Sequence, residues 1–142
     1  VQTLRLGRRT DQLQRESVSN QQALDTLRQM IAAAVTASAN GDAQPVHAMI
    51  DTAVQRLSKT ESSIEPAARF ALWQEIAESA FRAECHDQFE AIVQRNAPAA
   101  SAFHGPNHPH AAQWLILQGL AREHRRDYEQ AADLYRRALA VF

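Results

Sequence analysis

The stretch DYEQAADLYRRALAVF, residues 127–142, constrains the fold more than any other part of the chain. Tyr128 and Tyr135 lie seven residues apart, and so do Ala131 and Ala138. Seven residues is close to two helical turns, so all four positions share one side of a helix. An amphipathic helix resting on an ordinary core needs only apolar residues at spacings of three and four. Rings interleaved with near-empty positions ask for more. A second helix must come close at the alanines while the rings fill the grooves beside it.

The rest of the chain is also written in helical spacing. Polar breaks fall at 39–44 (ANGDAQ) and 104–109 (HGPNHP), with weaker ones near 58–65 and 84–87. Between them the pattern predicts helices over about 3–38, 45–58, 65–83, 87–102, 109–124 and 127–142. No stretch sustains the two-residue alternation of a half-buried strand. The expected fold is therefore all-α, with about six helices in three antiparallel pairs. Pro98 falls inside the fourth helix, where its missing N–H predicts a kink.

Several classes of function are excluded or unsupported by the residues themselves. At 142 residues and 45% apolar content the chain can build one core. A formal net charge of −1 provides no bulk attraction for nucleic acid or anionic lipid. Arg8-Arg9 and Arg125-Arg126 are isolated pairs, read as solubilising, so no nucleic-acid partner is expected. No apolar run approaches the ~18 residues of a membrane span, so no membrane insertion of this segment is expected. Cys85 is the sole cysteine, which excludes an internal disulfide and a multi-cysteine zinc site. There is no G-x-S-x-G, no phosphate-cradling glycine loop and no H-E-x-x-H, so no enzyme activity and no cofactor are expected. Glu75, Glu78, Glu123 and His124 have charged neighbours only at helix-surface spacing, which fits solvated faces. His104, His108 and His110 gather in HGPNHPH, and imidazoles are frequent metal ligands. That loop holds no acid and no cysteine, and His108-Pro109 reads as a helix start. A structural loop without metal is the expectation; a metal-dependent or pH-responsive sensor is the alternative.

In the last pair, Trp114, Leu115, Ile116 and Leu117 open one helix, Gly119 sits within it, and DYEQAADLYRRAL forms the next. This resembles the tetratricopeptide repeat, a two-helix unit of about 34 residues. With Ala131 in the first alanine slot of the second helix, Gly119 falls in the small slot of the first helix. Tyr128, Tyr135, Ala138 and Leu139 then take the aromatic, aromatic, alanine and leucine slots. Leu115 takes the core slot and Trp114 lies between repeats or partly exposed. Gln118 and Arg122 depart from the leucine and aromatic expected at their places, which weakens packing toward the preceding repeat. The preceding GPNHPHAA is similar to the inter-repeat loop of the kinesin-light-chain-like subgroup. One pair earlier, Trp73, Ile76 and Ala77 reproduce the first-helix slots. The second helix there has its alanines and aromatics out of step by about two residues, as in a divergent repeat with a lengthened turn. The best repeat is thus 108–142 and the divergent one 66–103. The resemblance implies a right-handed α-solenoid over 45–142, preceded by a long helix over 1–40 that forms a juxtamembrane or coiled-coil arm. Val46, Met49, Ile50, Val54 and Leu57 make an apolar stripe without a repeat match.

Such a solenoid implies a groove lined by the first helices of each repeat, which binds a peptide or protein partner. In this sequence the groove residues are Ala71, Gln74, Glu78, Phe81, Arg82, Gln113, Ile116, Leu120, Glu123 and His124. The implied role is a non-enzymatic interaction or sensory module. A looser resemblance places it in a larger bacterial signalling or regulatory protein: VQTLRLGRRTDQLQRE ahead of repeats is similar to the segment after the membrane span in some sensors. Val1 and Phe142 read as cut ends, so a longer parent protein is expected. The alternative is a scaffold held as a homodimer through Leu6, Leu13, Leu24, Leu27 and Ile31. On the last helix, Leu134 and Val141 are expected to form a free, sticky face. The compartment is left open between an extracytoplasmic part of a membrane protein and the cytoplasm.

Overall fold

The computed structural model describes residues 21, 22, 25, 26, 28–30, 32, 33 and 43–142. The described residues between 21 and 33 are helical. The leucine seam of the expected first helix lies outside the described residues. Five helices follow: α1 (Ala43–Thr60), α2 (Pro66–Arg82), α3 (His86–His104), α4 (Pro109–His124) and α5 (Tyr128–Val141), with a 3₁₀ turn at Glu61–Ser63. Among the described residues there is no strand. No helix there is long and apolar enough to cross a membrane.

The helix ends follow from local chemistry. Pro66 and Pro109 open α2 and α4, where a missing N–H costs nothing and φ is already set for the helix. At the start of α4 the His108 Nδ1 accepts a bond of 3.1 Å from the His110 N–H, so the His108-Pro109 pair is a helix start as its sequence indicates. The α2–α3 and α4–α5 turns close identically. The Cys85 N–H donates to the Ala80 carbonyl at 2.8 Å and the Asp127 N–H to the Arg122 carbonyl at 2.9 Å. Between them Glu84 and Arg126 adopt φ of 61° and 64°, a left-handed cap usually given to glycine.

Ala77 and Gly119, Glu84 and Arg126, and Cys85 and Asp127 are each 42 residues apart, so the two hairpins share one register. The turn is three residues in both, which corrects the expected lengthened turn. The extra length lies beyond the turn, where α3 runs for 19 residues. By the same offset Phe89 stands where α5 has Ala131, Val93 where it has Tyr135, and Asn96 where it has Ala138. The ring of the earlier hairpin is carried four residues sooner, and this is why its aromatics looked out of step. Pro98 lies within α3, and α3 continues past it to His104. Pro98 is on the exposed side, where the carbonyl it leaves unbonded can reach water.

The core joins α1 to α4. Val46, Ile50, Ala53 and Leu57 of α1 meet Phe70, Leu72, Trp73, Ile76, Ala77 and Ala80 of α2 and Phe89, Ile92, Val93, Ala97 and Ala100 of α3. Trp114 and Leu117 extend this cluster into α4. Trp73 is 1% exposed; its indole N–H donates to Glu61 at 3.1 Å, and the Arg95 guanidinium lies 4.9 Å over its ring. Trp114 is buried at 1%, whereas Leu115 is half-buried. This corrects the core slot assigned to Leu115. The wide indole reaches back across the junction into the α2–α3 cluster, and Leu115, one step round the helix, does not join it. Ala131 and Ala138 are buried as expected, but Tyr128 and Leu139 are 63% and 71% exposed. Both face solvent, so they pack no repeat interior here.

Candidate functional site

The first helices of the two hairpins, α2 and α4, lie side by side. The Gln74 amide donates to the Gln113 side-chain oxygen at 2.8 Å and to Glu78 at 3.1 Å, tying the expected groove stripe together across the two helices. Gln74, Glu78, Gln113, Ile116 and Leu120 are all half-buried. On α4 this window lies between the residues that meet α5 and those that meet α3, and on α2 the neighbouring Glu75 pairs with Arg28 at 3.4 Å. Ala71 and Arg82 are at its rim, Ala71 exposed and Arg82 exposed.

The far end of the stripe is engaged within the fold. Phe81 packs on Phe89 at 5.1 Å and on His86 at 6.2 Å. His124 is stacked on His86 with ring centroids 3.7 Å apart. Glu123 accepts the Tyr135 hydroxyl at 2.7 Å. Burial and this bond to a carboxylate push the Tyr135 phenol up to about 12, since its ionised form would face Glu123 without a proton between them. What remains of the expected stripe is amide-rich at Gln74 and Gln113, with Ile116 half-buried and Leu120 half-buried against the core cluster.

A second concavity, of about 690 Å³, was not foreseen. It is bordered by Glu90, Val93 and Gln94 of α3, Gln118, Ala121 and Arg122 of α4 and Asp133 and Leu134 of α5. Gln118 and Arg122 are the two places where the sequence departs from the repeat pattern. Polar side chains there leave α3 and α5 apart. Arg125 spans the gap with bonds of 2.5 and 2.9 Å to the two oxygens of Glu90. That bond, with the charge of Arg125, holds the Glu90 carboxyl below its ordinary range. Leu134 borders this cleft and Val141 is half-buried, so the free apolar face of α5 is the opposite one.

The three histidines cluster, each ring close to the other two. Ring centroids are 4.9 Å apart for His104 and His108, 5.2 Å for His104 and His110, and 5.1 Å for His108 and His110. Among the described residues no group of three or more His, Cys, Asp or Glu could hold a metal ion. Burial, then the charges of His108 and His110, lower the His104 pKa. A histidine depressed on folding binds its proton more weakly in the native state. Its contribution is complete above the unfolded value of ~6.5 and is lost as pH falls through that value toward the folded one. The urea midpoint is expected to drop between pH 7.5 and 5.5, and His104→Gln is expected to flatten that drop. Equal pH dependence in the two proteins would refute the role given to His104.

Cys85 is fully buried at the α2–α3 turn, and burial followed by the charge of Asp51 raises its thiol pKa. It is a packing residue rather than a nucleophile.

The model of the tetratricopeptide repeat family matches residues 68–142. Neither a curated protein nor a solved structure matches the chain significantly.

Proposed function

The chain belongs to the tetratricopeptide repeat family, and from that premise we propose that it is a non-enzymatic module that binds a peptide segment of a partner protein between α2 and α4. Repeats of this family generally mediate protein–protein interaction. The observation that carries the reading is the Gln74–Gln113 bond of 2.8 Å. It makes one surface of two helices and sets side-chain amides beside Ile116 and Leu120. An extended peptide can exchange backbone hydrogen bonds with such amides while its side chains rest on the apolar pair. Titratable groups do not converge there on a common point, which favours recognition over chemistry. The arginine-bearing segment ahead of the repeats, and the GPNHPHAA loop, support placing the module in a larger signalling protein of the kinesin-light-chain-like repeat subgroup.

The test is selection of binders from a displayed random-peptide library against the chain. Peptides so obtained are expected to lose at least tenfold in Kd on Ile116→Glu and on Gln113→Ala. They should bind the Gln94→Ala variant, altered in the cleft between α3 and α5, as they bind the parent chain. Binders that ignore Ile116→Glu while that variant keeps its helical circular dichroism would reject the groove.

A further inference from the structure

One flank of α5 carries Tyr128, Ala132, Tyr135, Leu139 and Phe142, at steps of four, three, four and three. This is the spacing of a coiled-coil seam. Tyr128, Leu139 and Phe142 are 63%, 71% and 64% exposed, and Ala132 and Tyr135 are half-buried. Three large apolar side chains in one row on a single short helix make a contiguous patch of the kind that marks an interaction surface.

We propose that a second copy of this chain docks on this seam, with the two α5 helices antiparallel about a two-fold axis. A two-fold contact must be self-complementary, and this row is. In the antiparallel register Ala132 faces Tyr135 of the partner subunit, and Tyr128 faces Leu139 of the partner subunit, each pairing occurring twice. A small residue beside a ring lets the helices approach as they do at Gly119. Charge selects the same arrangement. Glu129 and Arg136 follow Tyr128 and Tyr135 by one residue, are exposed, and flank one side of the seam. Antiparallel pairing brings Glu129 toward Arg136 of the partner subunit at both ends. Parallel pairing instead puts the two charged flanks on opposite sides of the seam and forms no such pair. The peptide groove opens on another side of α4, so the two surfaces operate independently.

Sedimentation velocity of the chain over a hundredfold concentration range tests this. A monomer–dimer equilibrium is expected, and Leu139→Glu is expected to weaken it at least tenfold with helical content unchanged, because the residue is solvent-facing. Glu129→Arg and Arg136→Glu should each weaken the dimer, and the two together should restore it. A monomer at every concentration overturns the proposal. So does a dimer that ignores Leu139→Glu, which would place the contact elsewhere, or a double charge swap no better than the single ones.

Discussion

Trp73→Ala is expected to lower the unfolding free energy by about 3–5 kcal/mol. Trp73 is 1% exposed and lies where α2 meets α3 and the Glu61–Ser63 turn. Alanine would leave a cavity that the buried cluster of α1, α2 and α3, fixed on three helices, can close only in part. The effect goes beyond volume. The indole N–H bonded to Glu61 is lost, and Arg95, which lies over the ring and pairs with Glu61, loses its platform. Single domains hold about 5–15 kcal/mol in all, so this variant would stand near the edge of folding. Trp73→Phe keeps most of the apolar volume and should cost clearly less. Urea unfolding followed by circular dichroism measures both. A Trp73→Ala midpoint equal to that of the parent chain would mean the residue is not a core element.

Gly119→Ala is expected to be destabilising by about 1–3 kcal/mol, against the direction of helix propensity. Alanine in place of a mid-helix glycine ordinarily gains up to ~1 kcal/mol. Here an added Cβ would stand 2.4, 2.8 and 2.9 Å from three atoms of the Tyr135 ring, distances that force the ring aside. The ring is not free to swing, since its hydroxyl is held by Glu123 at 2.7 Å. Propensity and collision thus oppose each other, and the collision outweighs the gain. A double-mutant cycle separates them. In a Tyr135→Leu background the same Gly119→Ala change should cost much less or become favourable, because only the propensity gain remains. A second readout is the tyrosine titration: a ring pushed out of its site should ionise closer to the ordinary value of ~10 than to about 12. Additive effects in the cycle would mean that Tyr135 does not fill the space over Gly119.

The helical periodicity, the loops at 39–44 and 104–109, and the small and large residues of 119–138 were enough to define an all-α repeat and to position its last hairpin. These features are legible because they are local. Spacing along a helix sets which residues share a face, and proline after histidine starts a helix whatever lies beyond it. Gly119 in particular announced a close approach before any partner was known. What pressed on it was not decided by spacing. Ala131 and Tyr135 are both on the right face, and the crossing geometry of α4 and α5 gives the contact to the Tyr135 ring, leaving Ala131 buried beside it. Trp114 and Leu115 pose the same problem. Adjacent residues lie a quarter-turn apart, and only the angle at which α4 meets the α2–α3 pair determines which of them enters the core. The earlier hairpin hid its register because Phe89, Val93 and Asn96 redistribute ring and void along one helix, a change that conserves volume in three dimensions but not pattern in one. Glu84 and Arg126 cap their helices in a glycine conformation without being glycines, so the breaks were legible while the form of the turns was not. The cleft beside Gln118 and Arg122 and the solvent-facing row from Tyr128 to Phe142 belong to the tertiary structure alone. Each exists because of where a neighbouring helix stands, and a sequence records which faces are apolar without recording which of them is covered.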